Sequence, residues 1–173
     1  DEAMYHAKKS GRNAVVLCDV VTQAVAPADT VGQAPFIVQL RWKPAFSCGH
    51  PAIDQEHQAL FELANRLIDS ASLQPPQPEA FAAAFNALLS HITTHFSHEE
   101  ALLRELGSTG LTEHAGLHQT LLAQAWKLQE KSRAEPGSPA AMQAMLKFLA
   151  TEMVANHVLH ADRAIFAALP RQL

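Results

Sequence analysis

His95 and Glu99 stand four residues apart in the run HFSHE, and His114 and His118 stand four apart in HAGLH. On a helix such pairs share a face with Cβ atoms about 5–6 Å apart, close enough for two side chains to converge on one ion. His57 and His157 each fall on the apolar stripe of a further helical segment. Five imidazoles and a carboxylate are thus directed toward one interior. Buried polar groups need partners, so imidazoles on four apolar faces point to a metal rather than to isolated core histidines. Ten histidines among 173 residues, against one Tyr and two Trp, agree with that reading.

The donor set narrows the metal. A structural zinc takes just four ligands, and the zinc-protease arrangement H-E-x-x-H is absent, because Leu102 stands where its second His would be. The Glu-x-x-His pairs of carboxylate-rich di-iron oxidases are not visible either. An imidazole-dominated site with few carboxylates remains, and imidazole suits iron.

Four segments with helical apolar spacing must position these residues. They run from about Asp54 to Ser70, Glu79 to Leu106, Thr112 to Ser132 and Pro139 to Leu169. Thr112 is the expected cap of the third, and Ser138 with Pro139 at the first helical position opens the fourth. Short connections make neighbours antiparallel, so the expected fold is all-α: an up-and-down antiparallel four-helix bundle with an N-terminal arm. Residues 40-173 form the bundle, 18-39 a linker of Ala, Thr, Gln, Gly and Pro, and 1-17 a separate helix end and turn.

A composition with 48% apolar residues can fill such a core. The formal charge of −4, from 13 basic and 17 acidic residues, lacks the basic footprint of a nucleic-acid binder. Cys18 and Cys48 form no C-x-x-C pair, which suits a reducing compartment, and cytoplasmic location is expected. No membrane contact by this segment is expected, since no apolar run approaches the roughly 18 residues of a span.

Trp42, the turn Ser47-x-Gly49, IDQEH (53 to 57), HFSHEE (95 to 100), HAGLH (114 to 118) and HVLHAD (157 to 162) together resemble the bacterial hemerythrins. The resemblance covers about residues 40 to 169. It implies a non-haem di-iron centre that binds dioxygen, with ligands His57, His95, Glu99, His114, His118, His157 and Asp162. Asp162 rests on the resemblance alone, because five residues of α-helix rotate it about 140° from His157. A bridging carboxylate reaching a second iron further along the bundle would ease that misfit. His50, His98 and His160 are expected to be exposed polar residues, and His6 lies in the appended segment. His91, where the family usually has Tyr, is expected to hydrogen-bond behind a ligand. Glu56 replaces the family's usual Gln and would put a charge beside His57. Met153 and Val154 replace a larger Trp-Leu lid and would leave a wider oxygen pocket.

Two iron ions of about six positions each offer about twelve. Five imidazoles, two bridging carboxylates and an oxo or hydroxo bridge leave about one open, which argues for binding dioxygen rather than for catalysis. DEAMYHAKKSGRN at the head of the chain resembles the end of GGDEF diguanylate cyclases, although the GGDEF motif itself is absent from this sequence. The resemblance implies an oxygen or redox sensor, not itself an enzyme, whose partner is a cyclase domain of the same polypeptide making cyclic di-GMP. The alternatives are an oxygen carrier or store, or a peroxide- or iron-handling di-iron protein.

Overall fold

Proline sets the start of three of the four rods. Its fixed φ and missing N–H suit the first helical turn, and Pro51, Pro78 and Pro139 occupy it in α1 (Pro51–Ala71), α2 (Pro78–Glu105) and α4 (Pro139–Phe148). The computed structural model describes residues 39–169. The GGDEF-like segment 1-17, its His6, Cys18 and all but the last residue of the 18-39 linker lie outside them. Ser138 caps α4 by accepting the amide of Ala141 at 3.4 Å, as expected. The third rod, α3 (Leu111–Ala134), begins two residues earlier than the Thr112 cap allows: Gly110 is the residue before it, and no side chain caps that end. Glycine punctuates the loops where φ turns positive, at Gly107 (φ 68°) after α2 and at Gly137 (φ 75°) before α4.

The fourth rod holds the main surprise. From Leu149 to Asp162 it continues α4 as a π-helix of 14 residues, then resumes as a short α5 (Arg163–Ala167). Such i→i+5 helices are rare and usually a single turn, and they are frequent at functional sites.

The rods pack as an antiparallel four-helix bundle, α1 on α2, α2 on α3, and α3 on the fourth. The expected stripes are buried: Ile53, His57, Leu60, Phe61, Ala64 and Leu67 on α1, with Phe81, Phe85, Leu88, Leu89, Ile92, His95, Phe96, Glu99 and Leu103 on α2. Ile68 lies only partly buried at the edge. The apolar interior is divided. A large cluster includes Leu60, Leu88, Phe96, Met145 and Met153. A small one of Cys48, Ile53, Leu103 and Phe166 closes the end of the bundle.

The N-terminal arm lies along α1. The Asn65 amide bonds both backbone groups of Leu40, at 2.7 and 2.9 Å. Trp42 then packs edge-on against Phe61, ring centroids 5.4 Å apart, and beside the His57 ring at 6.0 Å. Among the described residues no helix is long and apolar enough to cross a membrane.

Candidate metal centre

Each rod contributes to one polar chamber between the two apolar clusters. His57 comes from the first half of α1, His95 and Glu99 from the second half of α2, His114 and His118 from the start of α3, and His157 and Asp162 from the end of the fourth rod. All seven are buried.

Their donor atoms form two overlapping groups. Glu99, His114, His118, His157 and Asp162 make one, His57, His95 and Asp162 the other, and within each group the potential ligand atoms lie within 4.8 Å of one another. Asp162 belongs to both. Its Oδ2 is 3.0 Å from His57 Nε2, while its Oδ1 is 3.2 Å from His157 Nε2 and 3.3 Å from His114 Nε2. Glu99 Oε2 lies 3.3 Å from His118 Nε2, 3.4 Å from His114 Nε2 and 3.8 Å from His95 Nε2. His118 Nε2 and His157 Nε2 face each other at 3.1 Å. The five-residue separation of His157 and Asp162, awkward for an α-helix, matches the i→i+5 hydrogen-bond spacing of the wider π-helix that carries them, which brings both toward one side. Asp162 also reaches the second donor group through Oδ2.

Hydrogen bonds behind the imidazoles fix which nitrogen faces the chamber. His95 Nδ1–H donates to Glu56 Oε2 and His118 Nδ1–H to Glu100 Oε1, both at 2.8 Å, leaving each Nε2 lone pair directed inward. Phe96 stacks flat on His118 with centroids 3.8 Å apart. Glu56 therefore sits against His95, not beside His57 as the sequence suggested. Its second oxygen accepts from His98 Nδ1 at 2.8 Å, so His98 is exposed but not idle. His91 touches no ligand nitrogen: its Nε2–H donates to the Glu56 carbonyl at 2.9 Å, and its ring stacks parallel to that of His95. His160 is exposed as expected. His50 is not, being half-buried against Phe166 with an unpartnered Nδ1. Met153 and Val154 are buried in the large apolar cluster.

Two supports escaped the sequence reading. Glu100 is one, although the second Glu of HFSHEE marked it. The other is Asp54, whose carboxylate accepts from the Ser47 hydroxyl and from the Cys48 amide at 2.8 Å, tying the Ser47–Gly49 turn to α1. An acid seven residues after a Ser-x-Gly turn was its signal.

The chamber is poorly satisfied by protein alone. Both ring nitrogens of His57, Nε2 of His95, Oε1 of Glu99 and both oxygens of Asp162 are buried without a hydrogen-bond partner. Unpaired buried groups of this kind are costly. Burial pulls His157 down to about 4, keeping it neutral and able to donate a lone pair. Burial works the same way on His114, but the Asp162 and Glu99 carboxylates outweigh it and hold that imidazole up at about 9. Asp162 is pushed up by burial and, more strongly, down by the surrounding imidazoles, so it stays ionised. Five imidazoles with two anionic carboxylates fit a divalent first-row metal such as iron.

An antiparallel four-helix bundle whose rods all send imidazole or carboxylate ligands into the core is a cation-binding bundle. The Hemerythrin HHE cation binding domain matches residues 48–169. Similar proteins include a myohemerythrin of Riftia pachyptila, 26% identical over 121 residues that cover 70% of this chain and 86% of the relative. A bacteriohemerythrin of Methylococcus capsulatus is 26% identical over 110 residues (64% of this chain, 80% of the relative), and one of Clostridium acetobutylicum 27% over 129 (70% and 95%). The chain belongs to the hemerythrin family, whose domain binds non-haem iron.

Proposed function

We propose that His57, His95, Glu99, His114, His118, His157 and Asp162 hold two irons, and that the domain binds dioxygen there as an oxygen or redox sensor. One observation carries the reading: Asp162 is common to two separate donor groups, the arrangement expected of a carboxylate bridging a metal pair. Bound there, the irons would supply the electrons and the open position that dioxygen requires. The protein's part is to hold and seal. Glu56 and Glu100 orient their imidazoles, and the partly buried Trp42 packs beside His57.

The sensor role is supported by residues 1-17, which resemble the end of a GGDEF domain and would join this bundle, through the 18-39 linker, to a cyclase in a cytoplasmic protein. Iron quantitation, with absorption spectra of the reduced protein before and after air, tests the centre. About two irons per chain are expected, fewer in His118→Ala and Glu99→Ala, and full loading of both variants would remove these residues from the site. The sensor reading requires cyclic di-GMP synthesis by the longer protein at a rate that depends on iron state, since a ligand acts only through differential affinity for two states. Equal rates in the reduced, oxygenated and oxidised protein would favour a carrier.

A further inference from the structure

One flank of the chamber is thinner than the others. Of the seven inward residues His114 is the most exposed, at 4%, while Glu99, His57 and Asp162 are at 0%. His114 also lines a surface pocket of about 480 Å³ between the start of α3 and the end of the fourth rod. Glu113 and His160 line the same pocket, and both are exposed. Gly107, Gly110 and the alanines of the fourth rod supply much of the remaining wall and keep it open. An outer carboxylate and imidazole therefore share one cavity with an inner imidazole whose Nε2 reaches Glu99 at 3.4 Å and Asp162 at 3.3 Å.

We propose that this pocket is the route by which ferrous iron is loaded: Glu113 and His160 capture the ion at the mouth, and His114 passes it to Glu99 and Asp162. The inference rests on the di-iron reading of the chamber. The chemistry fits a hydrated divalent cation. A carboxylate attracts it, carboxylate and imidazole both suit ferrous iron, and His114 stands between the pocket it lines and the inner carboxylates its Nε2 reaches. Metal–ligand bonds are exchanged one for another, with no change of oxidation state. The inner carboxylates bind more strongly because they lie in a drier, lower-dielectric space, so the transfer runs inward.

The test is stopped-flow uptake of ferrous iron by the anaerobic metal-free chain, with final iron content measured on the same samples. Glu113→Gln combined with His160→Gln changes two exposed side chains, and such surface changes leave stability nearly unaltered. Uptake should slow by about tenfold, in the range of electrostatic steering, while final content and spectrum match the parent. Added salt should slow the parent more than the variant. Unchanged uptake in a fully loaded double variant would overturn the loading route. So would a lower final content, because the pair would then help to retain the iron rather than admit it. A parent chain that never reaches about two irons would instead overturn the di-iron reading.

Discussion

His157 Nε2 and Asp162 Oδ1 lie 3.2 Å apart although five residues separate them, because the π-helix from Leu149 to Asp162 turns them to one side of the rod. Asp162 then serves both donor groups, whereas His57 belongs to one of these two.

Losing the shared carboxylate should therefore cost more iron than losing one imidazole. Asp162→Ala is expected to retain about one iron per chain or fewer, and His57→Ala to retain more. Metal analysis of the two purified variants decides this. Equal losses would mean that Asp162 serves a single position.

Glu56 supplies the second prediction. Burial pushes its carboxyl up, but hydrogen bonds from His95 and His98 hold it down at about 2, so it is ionised across the working pH range. Glu56→Gln keeps an acceptor for His95 and removes the charge. Iron content should stay full while the ferric form loses stability. A tenfold change in the ferric-to-ferrous ratio is about 59 mV for one electron, and spectroelectrochemistry should show the potential rising by about that much. An unchanged potential would reduce Glu56 to a spacer.

The Asp54 carboxyl predicts a pH dependence of stability. Burial raises it, the Ser47 hydroxyl and Cys48 amide lower it further, and the net position is below its ordinary 3.8. A depressed carboxyl stabilises fully above its unfolded pKa and loses that contribution as pH falls through the folded one. Asp54→Asn should thus lower Tm at pH 7 by a few degrees, for about 1 kcal/mol of lost hydrogen bonding. The gap between variant and parent should close below about pH 3.8. Thermal melts across pH 2–7, expressed as differences, would show it.

Val154 is 1% exposed and Met153 0%. The smaller side chains at these positions should ease water's approach to the iron, so autoxidation should be fast. Val154→Leu, alone or with Met153→Trp, should slow the appearance of the ferric spectrum in air. Overpacking costs about 1–3 kcal/mol, so the variants' Tm must be measured alongside. Equal or faster autoxidation in a fully loaded, folded variant would show that these side chains do not limit it.

Much of this was legible because local rules agreed with one another. Proline at the helix starts, the stripe from Phe81 to Leu103 and the i, i+4 pairs all specify α-helix, and α1 and α2 follow them. Gly110 and Thr112 show the usual error of a residue or two at a boundary. The π-helix was not legible. Its residues have ordinary helical composition, and its hydrogen-bond shift follows from packing His157, Asp162, Met153 and Val154 inward together. Glu56 was misplaced for a related reason: its number relative to His57 says nothing about which residue of α2 stands opposite.

The chamber separates a large apolar cluster from the four-residue cluster of Cys48, Ile53, Leu103 and Phe166. Four further apolar side chains, Leu102, Leu111, Ile165 and Leu169, pack against the small cluster but are only part-buried, so that end has less cohesion of its own than the large cluster, and the bonds spanning the chamber help to hold it shut. Cooperative units of unequal stability are the norm within one fold. The end of the bundle is therefore a cap with the metal as its keystone. Emptying the centre should leave the distant half intact, and amide exchange should quicken first around Ile53 and Leu103.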